Sequence, residues 1–253
     1  MSAVTTPSAA TPPPRVEVHE DAADLATSVA GAFIRLVTVA QAAGEIPQVT
    51  LTGGSIAEHI HAEIARLAPD SDVDWTRVEF FWGDERFAAA DSPDRNAYDA
   101  RRSFLDVVGV DPARVHEVPS SDEVATVDDA AAAYADTVRA VGVGRFQLVM
   151  LGVGPDGHVA SLFPGHPQLD AREAIAVPVT DSPKPPPERV SLTFEALNRA
   201  DEVWFVVSGV EKAEAVGKAL AASPPDIHEI PAAGVRGEAV TIWFLDHDSA
   251  SQI

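Results

Sequence analysis

Between Phe146 and Leu151 the chain reads FQLVML, and this short run constrains the fold more than any other segment. Phe146, Leu148, Val149, Met150 and Leu151 are apolar without the alternation of a half-exposed strand. Such a strand needs cover on both faces, as in the middle of a parallel sheet with helices above and below. Gly152, Gly154 and Gly157 follow at once, allowing a tight turn whose N–H groups can approach a ligand closely. His158 stands at the mouth of that turn, at the carboxyl end of the strand, where open parallel sheets usually bind their ligands.

The rest of the chain fits this frame, because strand-like and helix-like segments alternate nearly throughout. Strands are expected at Arg15 to His19, Gln48 to Leu51, Val78 to Trp82, Ala174 to Val179, Glu202 to Val207 and Val240 to Leu245. Helices are expected over Asp21 to Ala43, Ser55 to Leu67, about Asn96 to Val107, Thr126 to Val141, Phe194 to Asn198 and Val210 to Ala221. In the first helix Leu25, Val29, Phe33, Leu36, Val37 and Ala40 recur at helical spacing, with Asp21 placed to cap it and Gly44 to end it. The pattern predicts a three-layer α/β, Rossmann-like domain with a mainly parallel sheet. No linker-like stretch interrupts residues 15–253, so one domain is expected there. Met1 to Pro14, rich in Pro, Ser, Thr and Ala, has neither a basic start nor an apolar middle and reads as a disordered tail.

Charge and composition narrow the functions. With 39 acidic and 18 basic residues the net charge is −21, which argues against nucleic acid or anionic membrane as a partner. An anionic substrate therefore requires a locally basic pocket. Without cysteine there are no disulfides, thiolate metal sites or thiol nucleophiles, a composition compatible with a cytoplasmic protein. No segment approaches eighteen uninterrupted apolar residues, so no membrane span is expected.

Several motifs carry chemistry. Gly152, Gly154 and Gly157 match a dinucleotide-binding G-x-G-x-x-G, but Pro164, Gly165 and Pro167 leave no long helix to face a pyrophosphate, so nicotinamide binding is not expected. Thr52-Gly53-Gly54-Ser55 forms a second glycine turn between strand and helix, suited to a phosphate. A plain helix cap by Ser55 is the simpler alternative. Gly53-Gly54-Ser55-Ile56-Ala57 also approaches the G-x-S-x-G elbow of serine esterases, departing from it at Ala57. Gly83-Asp84-Glu85-Arg86 follows the strand ending at Trp82, which puts Arg86, with its forked guanidinium, at the same sheet edge. There Asp84 is available to bind sugar hydroxyls or to orient His158. Asn96 and Arg101 supply a polar cap and a cation to the next helix, with a surface role expected. Pro183, Pro185, Pro186 and Pro187 exclude helix and central strand and predict a rigid extended loop presenting Lys184. Asp70, Asp72 and Asp74 open like a calcium loop, but Trp75 and Phe81 occupy the positions needing glycine and glutamate. His59 and His61 point to different sides of their helix and do not form a metal pair.

Four segments together, TGGS at Thr52 to Ser55, GDER at Gly83 to Arg86, GVGPDGHVASLFPG at Gly152 to Gly165 and PKPPPERVSLT at Pro183 to Thr193, resemble the 6-phosphogluconolactonases. Their order is kept and they span most of the chain. Sister glucosamine-6-phosphate deaminases also carry the DGH turn, but typically continue it as AFNEPG where this chain has Ala160 to Gly165 as ASLFPG, and they usually lack the Pro-Lys-Pro-Pro loop. Val159 departs from the threonine often found after the histidine. The resemblance implies hydrolysis of 6-phosphoglucono-δ-lactone, a step of the oxidative pentose phosphate pathway, with no metal or organic cofactor. It points to His158, Asp84, Arg86 and Lys184. Imidazole, of ordinary pKa about 6.5, suits a general base acting without a covalent intermediate, so His158 and Asp84 are the expected catalytic pair. Arg86 and Lys184 with the Gly53-Gly54-Ser55 turn are expected to hold the phosphate, Arg189 to reinforce the anion pocket, and Gly154, Asp156 and Gly157 to shape the turn against the substrate. The partner expected is the small phosphosugar lactone alone, met by a monomer or weak dimer. The rival readings are a deaminase of the same fold, a serine esterase built on Ser55 and a sugar-phosphate sensor.

Overall fold

The structure, a computed structural model, describes residues 12–142, 144–223 and 225–253. Residues 1–11 of the expected tail lie outside this range, and Pro12 to Pro14 are exposed and without regular structure. Six strands form one parallel sheet in the order β1 (Arg15–His19), β9 (Val240–Asp246), β8 (Ala200–Val207), β5 (Phe146–Leu151), β2 (Gln48–Leu51), β3 (Glu79–Trp82). Side chains divide between the faces with period two. On β8, Val203, Phe205 and Val207 enter one core while Trp204 and Val206 enter the other. Each face is covered by helices, which explains the unbroken apolar reading of β5.

One face holds α1 (Ala22–Ala42) and α2 (Ser55–Leu67), together with α3 (Asn96–Ala100), which runs through a π-helical turn (Arg101–Leu105) into α4 (Asp106–Val108). Asp21 caps α1 by accepting from the amides of Ala23 and Asp24, and Gly44 leaves it with φ +85°. By length and hydropathy α1 could cross a bilayer. Here its face of Leu25, Ala26, Val29, Ala30, Phe33 and Val37 is buried in the core, with Phe33 stacked on Trp75. His61 of α2 is buried against Phe104 and His59 is exposed, as their spacing predicts. In the acidic loop, Asp74 caps the turn starting at Trp75.

The opposite face carries α5 (Val127–Val141), capped by Thr126, along with α6 (Phe194–Leu197) and α7 (Ala213–Ala219), the last entered through a 3-10 turn at Val210–Lys212. It also carries an element absent from the sequence reading, a three-stranded antiparallel sheet in the order β4 (Asp84–Arg86), β7 (Arg189–Leu192), β6 (Ala176–Val179). The strand expected at Ala174 to Val179 belongs to this second sheet. Residues 84–86 are a strand and not a free polar loop; three charged residues carry no hydrophobic period to betray it. On β7, Val190 and Leu192 enter the core while Arg189 and Ser191 alternate with them toward the carboxyl edge of the main sheet.

The chain leaves β3 for β4 at Gly83. Trp82 sits on the edge strand, so its backbone lacks a sheet partner on the outer side. Buried Tyr134 of α5 supplies one: its hydroxyl donates to the Trp82 carbonyl (2.7 Å) and accepts from the Trp82 amide (2.8 Å). Gly83 then bridges the two sheets, its amide donating to Leu51 O and its carbonyl accepting from Leu192 N.

Candidate active site

The loops leaving β2, β3, β5 and β8 meet at the carboxyl edge of the sheet. Strand order reverses between β2 and β5, which opens a crevice there. Thr52 and Gly152 begin the two adjoining loops and are tied by a hydrogen bond from Gly152 N to Thr52 Oγ1 (3.3 Å). The cavity beneath has a volume of about 270 Å³. Gly53, Gly54, Asp84, Arg86, Gly154, His158, Lys184 and Arg189 line it, so residues far apart in sequence converge there as expected.

Gly154 to His158 is a tight loop closed by Gly157 N to Gly154 O (2.9 Å) and Gly154 N to His158 O (3.0 Å). Within it the Asp156 carboxylate lies 2.5 Å from His158 Nδ1. A carboxylate only accepts, so Nδ1 carries the proton, which leaves Nε2 as the ring nitrogen that can act as a base. Partial burial pushes the Asp156 carboxyl up, but the hydrogen bond and charge of His158 outweigh it and hold the group at about 2. Phe163 packs against the ring at 4.5 Å between centroids. A Cβ on Gly154 would lie 2.0 Å from His158 Nδ1, so glycine is required there for the ring to reach its partner. The sequence leaves Asp84 two roles, binding sugar hydroxyls or orienting His158, and gives Asp156 the shaping of the turn. The structure corrects the orienting alternative: Asp156 accepts from His158 Nδ1, while Asp84 makes no bond to the ring.

Asp84 is nearly buried, and its Oδ2 accepts from the Ser161 hydroxyl (2.5 Å). Ser161 N in turn donates to Ser191 Oγ (3.2 Å). Between His158 and Ser161, Ala160 holds a left-handed φ of +50°, a cost of about 1 kcal/mol or more for a residue with a Cβ, at a position facing the cavity.

The cations are held in different ways. Arg86 Nη1 donates to Asp94 O (2.6 Å), while its Nε is buried without a partner among the described residues. Arg189 donates to the carbonyls of Lys184, Pro185 and Pro186 and lies over the Phe163 ring, so it cinches the proline loop that presents Lys184 as well as facing the cavity. Burial lowers the Arg189 pKa.

Three expectations need correction. Ser55 is exposed, does not line the cavity and makes no hydrogen bond to a histidine among the described residues; Gly54, with φ +96°, is the helix cap in its place. Neither the cap nor the esterase elbow is therefore built on its side chain. Gly157 also lies off the cavity wall: it supplies the φ of +82° that the turn requires and packs against Ile230. Asn96 is buried on the wall and not at the surface, donating from Nδ2 to Asp84 O (3.0 Å).

Lys212 was missed. It lines the cavity from the turn after β8, and its pKa is lowered by burial and by the neighbouring charge of Lys184. The available signal was a third strand-glycine-helix junction, Val207 to Ala213, with Gly209 in a left-handed φ of +105°.

Comparison with known proteins agrees with this architecture. Residues 20–243 match the family described as glucosamine-6-phosphate isomerases/6-phosphogluconolactonase. A 6-phosphogluconolactonase from Streptomyces coelicolor is 41% identical over 249 residues, covering 95% of each chain. The crystal structure of 6-phosphogluconolactonase from Thermotoga maritima superposes with a TM-score of 0.80 at 27% identity, covering 92% of this chain and 99% of that one. A monomeric glucosamine-6-phosphate deaminase also reaches 0.80, at 18% identity over 94% of this chain and all of the other, a likeness of fold alone. By family match, identity and coverage together, the chain belongs to the glucosamine-6-phosphate isomerase/6-phosphogluconolactonase family.

Proposed function

We propose that the protein hydrolyses 6-phosphoglucono-δ-lactone to 6-phosphogluconate, with His158 as general base and no covalent intermediate. The observation that carries this reading is His158, held by Asp156 at 2.5 Å from behind the wall of a cavity that it lines together with Arg86, Lys184, Arg189 and Lys212. In a protein of net charge −21, four cations around one cavity mark an anion site. Arg86 and the two lysines, Lys184 and Lys212, hold the phosphate. His158 Nε2 takes a proton from water as the oxygen attacks the lactone carbonyl, giving a tetrahedral oxyanion. Collapse breaks the bond to the ring oxygen, which receives the proton back from the imidazolium, and the acid product is released. Positioned base catalysis of this kind contributes about 10²- to 10⁴-fold. The overall reaction is redox-neutral and transfers only water. The 41% identical lactonase supports the choice of substrate, and Ser55, exposed and without a histidine partner among the described residues, weighs against an acyl-enzyme route.

The test follows acid release over seconds from freshly generated lactone, against a no-enzyme blank. The wild type should exceed spontaneous opening and His158→Ala should lose that excess, while Lys184→Ala should raise KM for the phosphorylated lactone far more than for plain gluconolactone. Equal KM effects on both lactones would remove phosphate from Lys184, and an active His158→Ala would remove the base.

A further inference from the structure

The GDER segment contains one acid that the proposed chemistry leaves unused. Glu85 is fully buried between β4 and the start of α3. Its carboxylate accepts three backbone hydrogen bonds, from Arg86 N (2.8 Å), Asn96 N (2.7 Å) and Ala97 N (2.8 Å). The residue at the cap position of α3, Arg95, is extended and gives no side-chain cap, so the open amides of this helix are satisfied by an acid from eleven residues upstream. The consequences reach the cavity. Arg86 and Asn96 both line it, and both are tied at their amides to the same carboxylate. Asn96 also donates to Asp84 O and presses on Gly53, where a Cβ would lie 1.8 Å from Asn96 Oδ1. Two cavity-forming segments, at Asp84 to Arg86 and at Asn96, thus meet on one buried acid, and a third, at Gly53, packs against Asn96.

We propose that Glu85 is a positioning residue, which sets Arg86 and Asn96 against the phosphate end of the substrate through their backbone amides and touches no substrate itself. The proposal rests on the lactonase reading for its substrate and on the hydrogen-bond geometry for its mechanism. The charged and titratable groups that act on Glu85 are Arg189 in its own sheet, Tyr134 of α5, and Arg95, whose Nε and Nη1 are buried without partners among the described residues. Burial pushes the Glu85 carboxyl up to about 7, against the attraction of Arg95 and the three amides. A protonated carboxyl loses an acceptor, so the tie weakens as pH falls through neutrality.

The experiment compares wild type and Glu85→Gln on the phosphorylated lactone and on plain gluconolactone from pH 6 to 8.5, with thermal unfolding alongside. In Glu85→Gln an amide N–H₂ must face a backbone N–H. KM for the phosphorylated lactone should rise about tenfold at pH 8, with kcat and the KM for gluconolactone within about twofold. The wild-type KM should climb below pH 7 while that of the variant stays level relative to it. Unchanged KM in Glu85→Gln, or equal losses on both substrates in step with a lower Tm, overturns the positioning role. Absence of wild-type turnover refutes the lactonase reading instead. In that case, or if Glu85→Gln does not fold, amide exchange in the wild type decides: protection at Arg86, Asn96 and Ala97, corrected for intrinsic rates, should fall from pH 8 to pH 6, and pH-independent protection overturns the proposal.

Discussion

Replacing Asp156 by asparagine tests the central pair with little change of shape. Moving a carboxyl from its ordinary 3.8 to about 2 corresponds to roughly 2.5 kcal/mol of preference for the charged form. The Asp156 side chain is 39% exposed, so solvent screening reduces its worth to stability to about 1 kcal/mol. Folding should therefore be little affected. Catalysis should suffer more, because an asparagine amide can turn its N–H₂ toward His158 Nδ1, which forces the ring proton onto Nε2 and removes the base. The expected result is a kcat at least about 100-fold lower, within the range that general base catalysis supplies, with KM within twofold and Tm within a few degrees. The assay is acid release from fresh lactone at pH 7.5, corrected for spontaneous opening. A kcat within fivefold of wild type, or a loss lying wholly in KM, would refute the assignment of Asp156 as the group that fixes the tautomer of His158.

Two further outcomes follow from the same geometry. Gly154→Ala would place a Cβ 2.0 Å from His158 Nδ1 and 2.5 Å from Asp156 Oδ1, so the ring must swing away; since an ångström of misplacement costs about 100-fold, kcat should collapse while circular dichroism stays native, and a fully active variant would contradict the close approach. His61, buried with Nδ1 unpartnered among the described residues, has its pKa lowered by burial from 6.5 to about 4. The folded state refuses a proton that the unfolded chain accepts, so this contribution, up to about 3 kcal/mol, is complete above pH 6.5 and lost as pH falls toward 4. Glu85, raised to about 7, acts with the opposite sign between pH 4.5 and 7. Urea unfolding of His61→Leu against wild type at pH 7 and pH 4.5 separates the two: the variant should lose less stability, or gain some, on acidification, and parallel behaviour would clear His61 of this role.

The main sheet and its helices were legible because burial imposes a period. The all-apolar β5, the 3.6-residue spacing in α1 and the capping Asp21 each declare themselves within a few residues. The glycine turn bearing His158 was equally plain, since tight backbone needs glycine locally. Hidden were groups whose meaning depends on a partner elsewhere. β4 consists of charged residues and is a strand only because β7 pairs with it more than a hundred positions later. Ser55 had a persuasive local context and points to solvent, whereas Lys212 had a modest one and faces the cavity.

The sequence by itself determined that this is a layered α/β chain with a parallel sheet, and that a glycine turn follows its central strand and presents His158 at the carboxyl edge. Those properties follow from local backbone demands and hydrophobic period, which neighbouring residues fully specify. Only the tertiary structure decided which acid serves which partner: Asp156 the His158 ring, Asp84 the Ser161 hydroxyl, and Glu85 the amides of Arg86, Asn96 and Ala97. Carboxylates look alike in sequence and select their donors by distances of under 3 Å, which the packing of separate loops sets and no spacing along the chain encodes.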